Sequence, residues 1–305
     1  MARGYEHRNE AILDMSDRVR QPAGLMQLAH LAGSDAPLAV VADGRVAPLA
    51  DRLGIATVDE LIAGGVDASA PAPAALEDAE PLRPGMLAAP LQAPGNIACV
   101  GLNYEDHIRE TGLDRPERPL IFSKFTSTLT GPDAEIRWPA GLTEQVDWEA
   151  ELAVVIGRRM QRVGVQDALS FAFGYTAAND VSARDLQFSD GQWIRGKSID
   201  TFCPIGPVIV TADGYDPDAK RIASRVNGTA MQESSTTEMV FSTAEILSFL
   251  SQFTTLEPGD LVLTGTPWGV GAFRDPPIFL GTGDVVEVEV EGIGVLRNPV
   301  AGPVG

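Results

Sequence analysis

The sequence predicts a β-rich α+β protein, with a small α/β domain ahead of a larger main domain. Three observations carry this reading. Many short apolar, β-branched runs are separated by Gly, Pro and Asp; one long amphipathic segment has a complete helix-start signal; and an Ala- and Pro-rich stretch divides the chain.

Residues 1–25 are mixed and charged, an N-terminal extension with no apolar core of signal-peptide length. Residues 26–85 read as the small domain and its linker. Within it, 38–42 and 46–49 flank Asp43-Gly44 as a tight hairpin, and Thr57, three residues before Glu60, caps a helical turn that closes at Gly64-Gly65. The linker, 66–85, is rich in Ala and Pro, a composition that packs poorly and holds the chain extended.

Residues 86–305 form the main domain, whose clearest strands are 97–100, 152–156, 205–210, 222–226, 261–264 and 285–290. Asn227-Gly228 reads as a hairpin turn rather than as the start of a glycosylation sequon. Ser242-Thr243-Ala244-Glu245 is a capping box that opens a helix running to Phe253 and closing before Pro258-Gly259. Residues 166–173 make a second, shorter helix.

At 305 residues with 44% hydrophobic content, the chain can bury a large core. Its net charge of −19 argues against nucleic acid or an anionic membrane as partner, so an anionic substrate must meet local positive charge. Two cysteines, Cys99 and Cys203, lie in apolar segments, which suits a reducing compartment and makes the cytoplasm the expected location.

The chemistry starts at residues 146–157. Glu149 and Glu151 share one face of a strand, and 152–156 follow without alternation, as in a strand covered on both faces. Two carboxylates at the edge of a buried sheet call for a cation between them; on a solvated face, as at Glu287, Glu289 and Glu291, they call for nothing. His107 and Glu110 are neighbours on a helical turn, either a carboxylate-oriented base or an incidental exposed pair. Asp180, after a strand end at 175–178, is a third ligand or an Asx-turn residue; Lys197, beside Gly196, is a donor to a ligand or a surface charge. Residues 263–271 form a Gly-rich turn able to aim N–H groups and the Thr266 hydroxyl at an anion, without the spacing of a Walker or dinucleotide motif.

In this order, Gly101-Leu102-Asn103-Tyr104 with His107 and Glu110, Pro119-Leu120-Ile121-Phe122-Ser123-Lys124, Asp147-Trp148-Glu149-Ala150-Glu151-Leu152, Asn179-Asp180-Val181-Ser182-Ala183-Arg184-Asp185, Gly196-Lys197-Ser198 and residues 264–271 resemble the fumarylacetoacetate hydrolase superfamily over roughly residues 86–300. The resemblance implies a mixed β-sandwich roll and a homodimer. It also implies Glu149, Glu151 and Asp180 as ligands of Mg²⁺ or Mn²⁺, His107 with Glu110 as a water-activating dyad, and Lys197 as the group that polarises the substrate oxygen. Lys124, Arg184, Gln187, Gly265 and Thr266 match further positions, expected to bind substrate. Some members carry a fourth carboxylate where Val100 stands here, so three acidic ligands are expected.

The implied reaction is hydrolysis of a carbon–carbon bond in an acylpyruvate or other 2,4-dioxo acid, releasing pyruvate or a related 2-oxo acid. Oxaloacetate decarboxylation, or keto–enol isomerisation or hydration, at the same site is the alternative, and a non-catalytic metal-binding homologue is the remaining one. The substrate tail is expected against residues 111–118 and 268–279, with Pro276-Pro277 as a stiff wall.

Overall fold

A computed structural model describes residues 26–65 and 79–305. The N-terminal extension and most of the Ala/Pro linker lie outside the described residues.

The main strands form as their patterns dictate. Ala150–Ile156 is buried at every position and pairs antiparallel with Ala172–Asn179 on one side and Leu261–Leu263 on the other, so both faces and both edges are covered. This strand lies inside a twelve-stranded sheet. Next outward come Cys203–Thr211 beyond Ala172–Asn179, and Ile97–Gly101 then Leu120–Lys124 beyond Leu261–Leu263. Leu261–Leu263 runs parallel to Ile97–Gly101, which makes the sheet mixed.

The N-terminal strands continue the same sheet. Gln27–Leu31 pairs with Cys203–Thr211, and the hairpin of Leu38–Ala42 and Arg45–Pro48 adds to its other side. Asp43 and Gly44 both take positive φ in the turn, as a two-residue hairpin requires.

A second, five-stranded sheet contains Thr229–Ser235, Arg221–Val226, Val285–Val290, Gly294–Val304 and Ile136–Pro139. Leu152, Val154 and Tyr175 of the large sheet pack with Ile222, Val288 and Leu296 of the small one and with Ile246, Leu247 and Leu250 of the capped helix Thr243–Phe253. Ala153, Val155, Ile205 and Ile209 pack with Leu28, Val40 and Leu61 of the N-terminal segment. The fold is therefore a β-rich α+β roll. Glu287 and Glu289 lie on the half-exposed face of their strand, where Glu289 pairs with Arg221 and Arg225.

The helix expected at 166–173 is shorter. It spans Val165–Ala168 and one 3-10 turn, Leu169–Phe171, because Ala172 already pairs with Ile156 and starts the next strand. Sheet pairing overrides a local helical preference here.

His30 ties the N-terminal strand to its surroundings. It is fully buried, its Nδ1 lies 2.9 Å from the Ala89 carbonyl, and its Nε2 accepts from the Val58 N–H at 2.8 Å. Only the neutral ring with the proton on Nδ1 satisfies both contacts. Burial lowers its pKa, opposed by the Ala89 carbonyl and by Asp59. The unfolded chain thus binds this proton more readily, so His30 contributes stability above about pH 6.5 that is lost as pH falls below it. Urea titrations at pH 7.5 and pH 5.5 are expected to show a smaller difference in His30→Gln than in the parent; equal differences would remove His30 from the account.

Candidate active site

Strand Ile97–Gly101 ends at a tight bend that Asn103 fixes. Its Nδ2 donates to the Thr264 carbonyl at 2.8 Å and to that of Phe241 at 3.1 Å, and its Oδ1 accepts from the Phe241 N–H at 2.9 Å. Helix Glu105–Thr111 follows, and on it His107 Nδ1 meets Glu110 Oε2 at 2.8 Å. With Nδ1–H on a carboxylate, Nε2 carries the lone pair, and His107 lines the adjoining pocket.

The strand expected from 146 is broken. Val146–Asp147 and Ala150–Ile156 are separate, and Trp148 packs with Trp138 and Phe202 instead of beside Ala150 and Leu152. The cause is Asp147. Its carboxylate accepts from the Trp148, Gly271 and Ala272 N–H groups at 2.8, 2.7 and 3.0 Å and from Arg184 Nε at 2.8 Å. A Cβ at residue 271 would stand 1.9 Å from the Ile278 carbonyl, so Gly271 alone can bring its N–H to Asp147.

Glu149 lies in this kink and Glu151 at the start of the strand after it, and Asp180 follows the end of strand Ala172–Asn179. All three are buried and offer carboxylate oxygens within 4.8 Å of one another. Lys197 Nζ bridges Glu149 Oε2 at 2.7 Å and Asp180 Oδ2 at 2.8 Å; Lys124 Nζ lies 2.5 Å from Asp180 Oδ1; Arg184 Nη1 lies 2.6 Å from Glu149 Oε1.

Four buried acids, counting Asp147, thus face three buried bases, and the unmatched one is Glu151. It makes no ion pair among the described residues; the Gly265 N–H is its hydrogen-bond donor, at 2.7 Å. The pKa values follow this division. Burial raises that of Glu149, but Lys197 and Arg184 outweigh it and bring it down to about 2. Burial, Asp180 and Glu149 all raise that of Glu151. Lys197 ends above the ordinary lysine value because Asp180 and Glu149 outweigh its burial. A set of three buried carboxylates with one uncompensated is suited to a hard divalent cation, which binds through oxygen.

The Gly-rich turn does aim N–H groups at anions, but the anions are the protein's own. Gly265 serves Glu151, Gly269 holds Glu110 Oε1 at 2.8 Å, and Gly271 serves Asp147. The turn therefore fixes the carboxylate that orients His107, one carboxylate of the triad and the one that holds Arg184.

A pocket enclosing about 500 Å³, mouth included, brings together His107, Glu149, Arg184, Gln187, Lys197 and Thr266. Of the other residues expected to bind substrate, Lys124 does not reach it and braces Asp180 and the Val181 carbonyl instead, while Gly265 has its N–H turned to Glu151. Val100 lines the pocket, as do Thr111, Leu113 and Phe273 from the two expected loops; Pro276 and Pro277 do not. Gly101, Leu102, Phe122, Phe188 and Trp193 complete the lining.

Three positioning residues went unread in the sequence. Asp147 sits inside the quoted acidic run, but no spacing rule marks it. Asn179 Oδ1 receives the Glu149 N–H at 3.0 Å. Gln232 donates to Thr266 Oγ1 at 2.8 Å and accepts from the Ala150 N–H at 2.9 Å, which leaves the Thr266 hydroxyl proton free to donate.

Residues 96–301 match the family described as fumarylacetoacetate (FAA) hydrolase, C-terminal. The chain belongs to the fumarylacetoacetate hydrolase superfamily. It is 51% identical over 215 residues, covering 70% of this chain and 68% of the relative, to the mitochondrial oxaloacetate tautomerase FAHD2A of Bos taurus. A fumarylacetoacetate hydrolase from psychrophilic Exiguobacterium antarcticum has the same fold, with TM-score 0.82 and 38% identity, over 91% of this chain and 99% of that one. A 2-hydroxyhepta-2,4-diene-1,7-dioate isomerase from Mycobacterium marinum follows at TM-score 0.70 and 38% identity, over 91% and 98%. These relatives bear the names of enzymes, and two of the three names are for isomerisations rather than hydrolysis. No helix among the described residues is long and apolar enough to cross a membrane.

Proposed function

We propose that this protein is a metal-dependent keto–enol tautomerase of small 2-oxo acids of the oxaloacetate kind. The observation that carries the reading is the buried triad of Glu149, Glu151 and Asp180 beside a pocket that also receives His107. The names of the relatives favour tautomerisation over acylpyruvate hydrolysis, the first expectation from the sequence.

Glu149, Glu151 and Asp180 would hold Mg²⁺ or Mn²⁺, which supplies Lewis acidity toward the oxygens of a 2-oxo acid. The protein's own groups do the rest. His107, oriented by Glu110, takes the C3 proton at Nε2. Lys197 stays charged and donates to the oxygen on which negative charge develops. Arg184 Nη2 is buried without a hydrogen-bond partner, and with the Thr266 hydroxyl and Gln187 it receives the substrate carboxylate. With a divalent cation held by the triad, the charge of the cluster would turn positive where an anion enters, offsetting the −19 charge of the chain.

The hydrolytic reading keeps one observation in its favour, since the same dyad is suited to activating water. Product analysis separates the two. With Mg²⁺ or Mn²⁺, the purified protein is expected to equilibrate keto and enol oxaloacetate without releasing carbon dioxide, and to leave acylpyruvates intact. Pyruvate and a carboxylic acid from an acylpyruvate would make it a hydrolase; carbon dioxide from oxaloacetate would make it a decarboxylase. A homodimer is part of the proposal, to be read from sedimentation.

A further inference from the structure

The pocket's floor and mouth differ in chemistry. The ionisable groups of the lining are His107, Glu149, Arg184 and Lys197, and the rest of it is largely apolar, with the rings of Phe122, Phe188, Trp193 and Phe273 beside Val100, Leu102 and Leu113. Lys197 Nζ lies 5.1 Å from the centroid of Phe122, which meets Trp193 edge-on at 5.3 Å. His107 meets Phe273 edge-on at 5.9 Å, and Phe273 leans on Phe188 at 6.3 Å. The electrophile and the base proposed above each begin a pair of rings.

The two rings on the His107 side are open to solvent, and Phe122 and Trp193 are half-buried. Phe188 is 57% exposed, Phe273 38% and Leu113, beside them in the lining, 55%. Covering them removes apolar surface from water and is favourable. Of the two basic side chains of the lining, Lys197 is bonded to Glu149 and Asp180, and Arg184 is bonded to Asp147 and Glu149 with its one unpartnered nitrogen, Nη2, assigned above to the carboxylate beside the ketone. Oxaloacetate's second carboxylate thus meets no cation of its own at the mouth, whereas an apolar group meets several rings.

We propose that the site takes 2-oxo acids bearing an apolar group on C3, aryl above all, in preference to oxaloacetate. The inference rests on the tautomerase reading of the site. The C3–H bond breaks and its proton goes to His107 Nε2; the electron pair forms the C2–C3 double bond while the carbonyl pair moves to O2, which takes a proton back from the imidazolium. Nothing is oxidised or lost. C3 faces His107 in this step, so its substituent comes to lie by Phe273 and Phe188.

The test compares phenylpyruvate with oxaloacetate on the full chain with Mn²⁺. The ratio of kcat/KM is expected to favour phenylpyruvate at least tenfold, and Phe188→Ala is expected to lower that ratio about tenfold, with part restored in Phe188→Leu. Phe188 is exposed enough that its truncation leaves the core intact. A ratio that favours oxaloacetate, or that ignores Phe188→Ala, overturns the inference and leaves the tautomerase reading standing. If neither acid turns over, the tautomerase reading fails, and calorimetry on the His107→Ala protein decides the pocket: phenylpyruvate binding weakened about tenfold by Phe188→Ala supports the aryl site. Absent binding, or binding indifferent to Phe188→Ala because the ring is buried in a dimer, overturns it.

Discussion

Replacing His107 by alanine is expected to slow tautomerisation of oxaloacetate about a thousandfold, the usual worth of a positioned general base. The same variant is expected to keep the rise in melting temperature produced by Mg²⁺ or Mn²⁺. The two readouts separate because His107 bonds through Nδ1 to Glu110, itself held by the Gly269 N–H, and makes no hydrogen bond to Glu149, Glu151 or Asp180. Glu110→Gln gives an intermediate case. It preserves the shape, but the ring must then meet an uncharged partner that no longer favours the imidazolium, and a loss of about tenfold to a hundredfold follows. Full activity in His107→Ala would move proton transfer to another group. Loss of the metal-dependent melting shift would place His107 among the ligands.

The strands were legible because their signals are local. The unbroken apolar run 152–156 marked the body of strand Ala150–Ile156, and the Asp-Gly and Asn-Gly turns and the Ser242 capping box announced themselves within four residues. What the periodicity of 146–157 could not reveal was the kink, because it depends on Gly271 and Arg184, which lie 124 and 37 positions from Asp147. The same holds for the Gly-rich turn. Its residues say that N–H groups converge, but only the folded chain says that Glu151, Glu110 and Asp147 take them. Lys124 illustrates the limit of motif matching. Its place in a motif put it near the site, and its burial at 3% exposure puts it behind Asp180 rather than at the pocket. At the ring-lined mouth, Phe273 and Leu113 lie in the two loops expected against the substrate tail, whereas Phe122, Phe188 and Trp193 are brought there only by the fold.

Glu151→Gln is expected to stabilise the metal-free protein while destroying its response to metal. Lys197 bridges Glu149 and Asp180, and Lys124 and Arg184 serve Asp180, Asp147 and Glu149, so the positive charge of the cluster is spent before it reaches Glu151. That carboxylate is buried beside two others with one backbone donor, and its pKa is raised by burial first and then by Asp180 and Glu149. Glutamine has the same shape, can still accept from the Gly265 N–H through its amide oxygen, and removes the charge. A gain of about 1–2 kcal/mol, or roughly 2–6 °C in melting temperature for a chain of this size, is expected without metal. With saturating Mg²⁺ or Mn²⁺ the order reverses, because only the parent binds the ion through three carboxylates and gains the linkage stabilisation that binding brings. Chelator-treated samples scanned with and without metal make the comparison. A variant that melts lower than the parent under both conditions would mean that Glu151 is matched within the fold, and the case for a cation at this triad would fall with it.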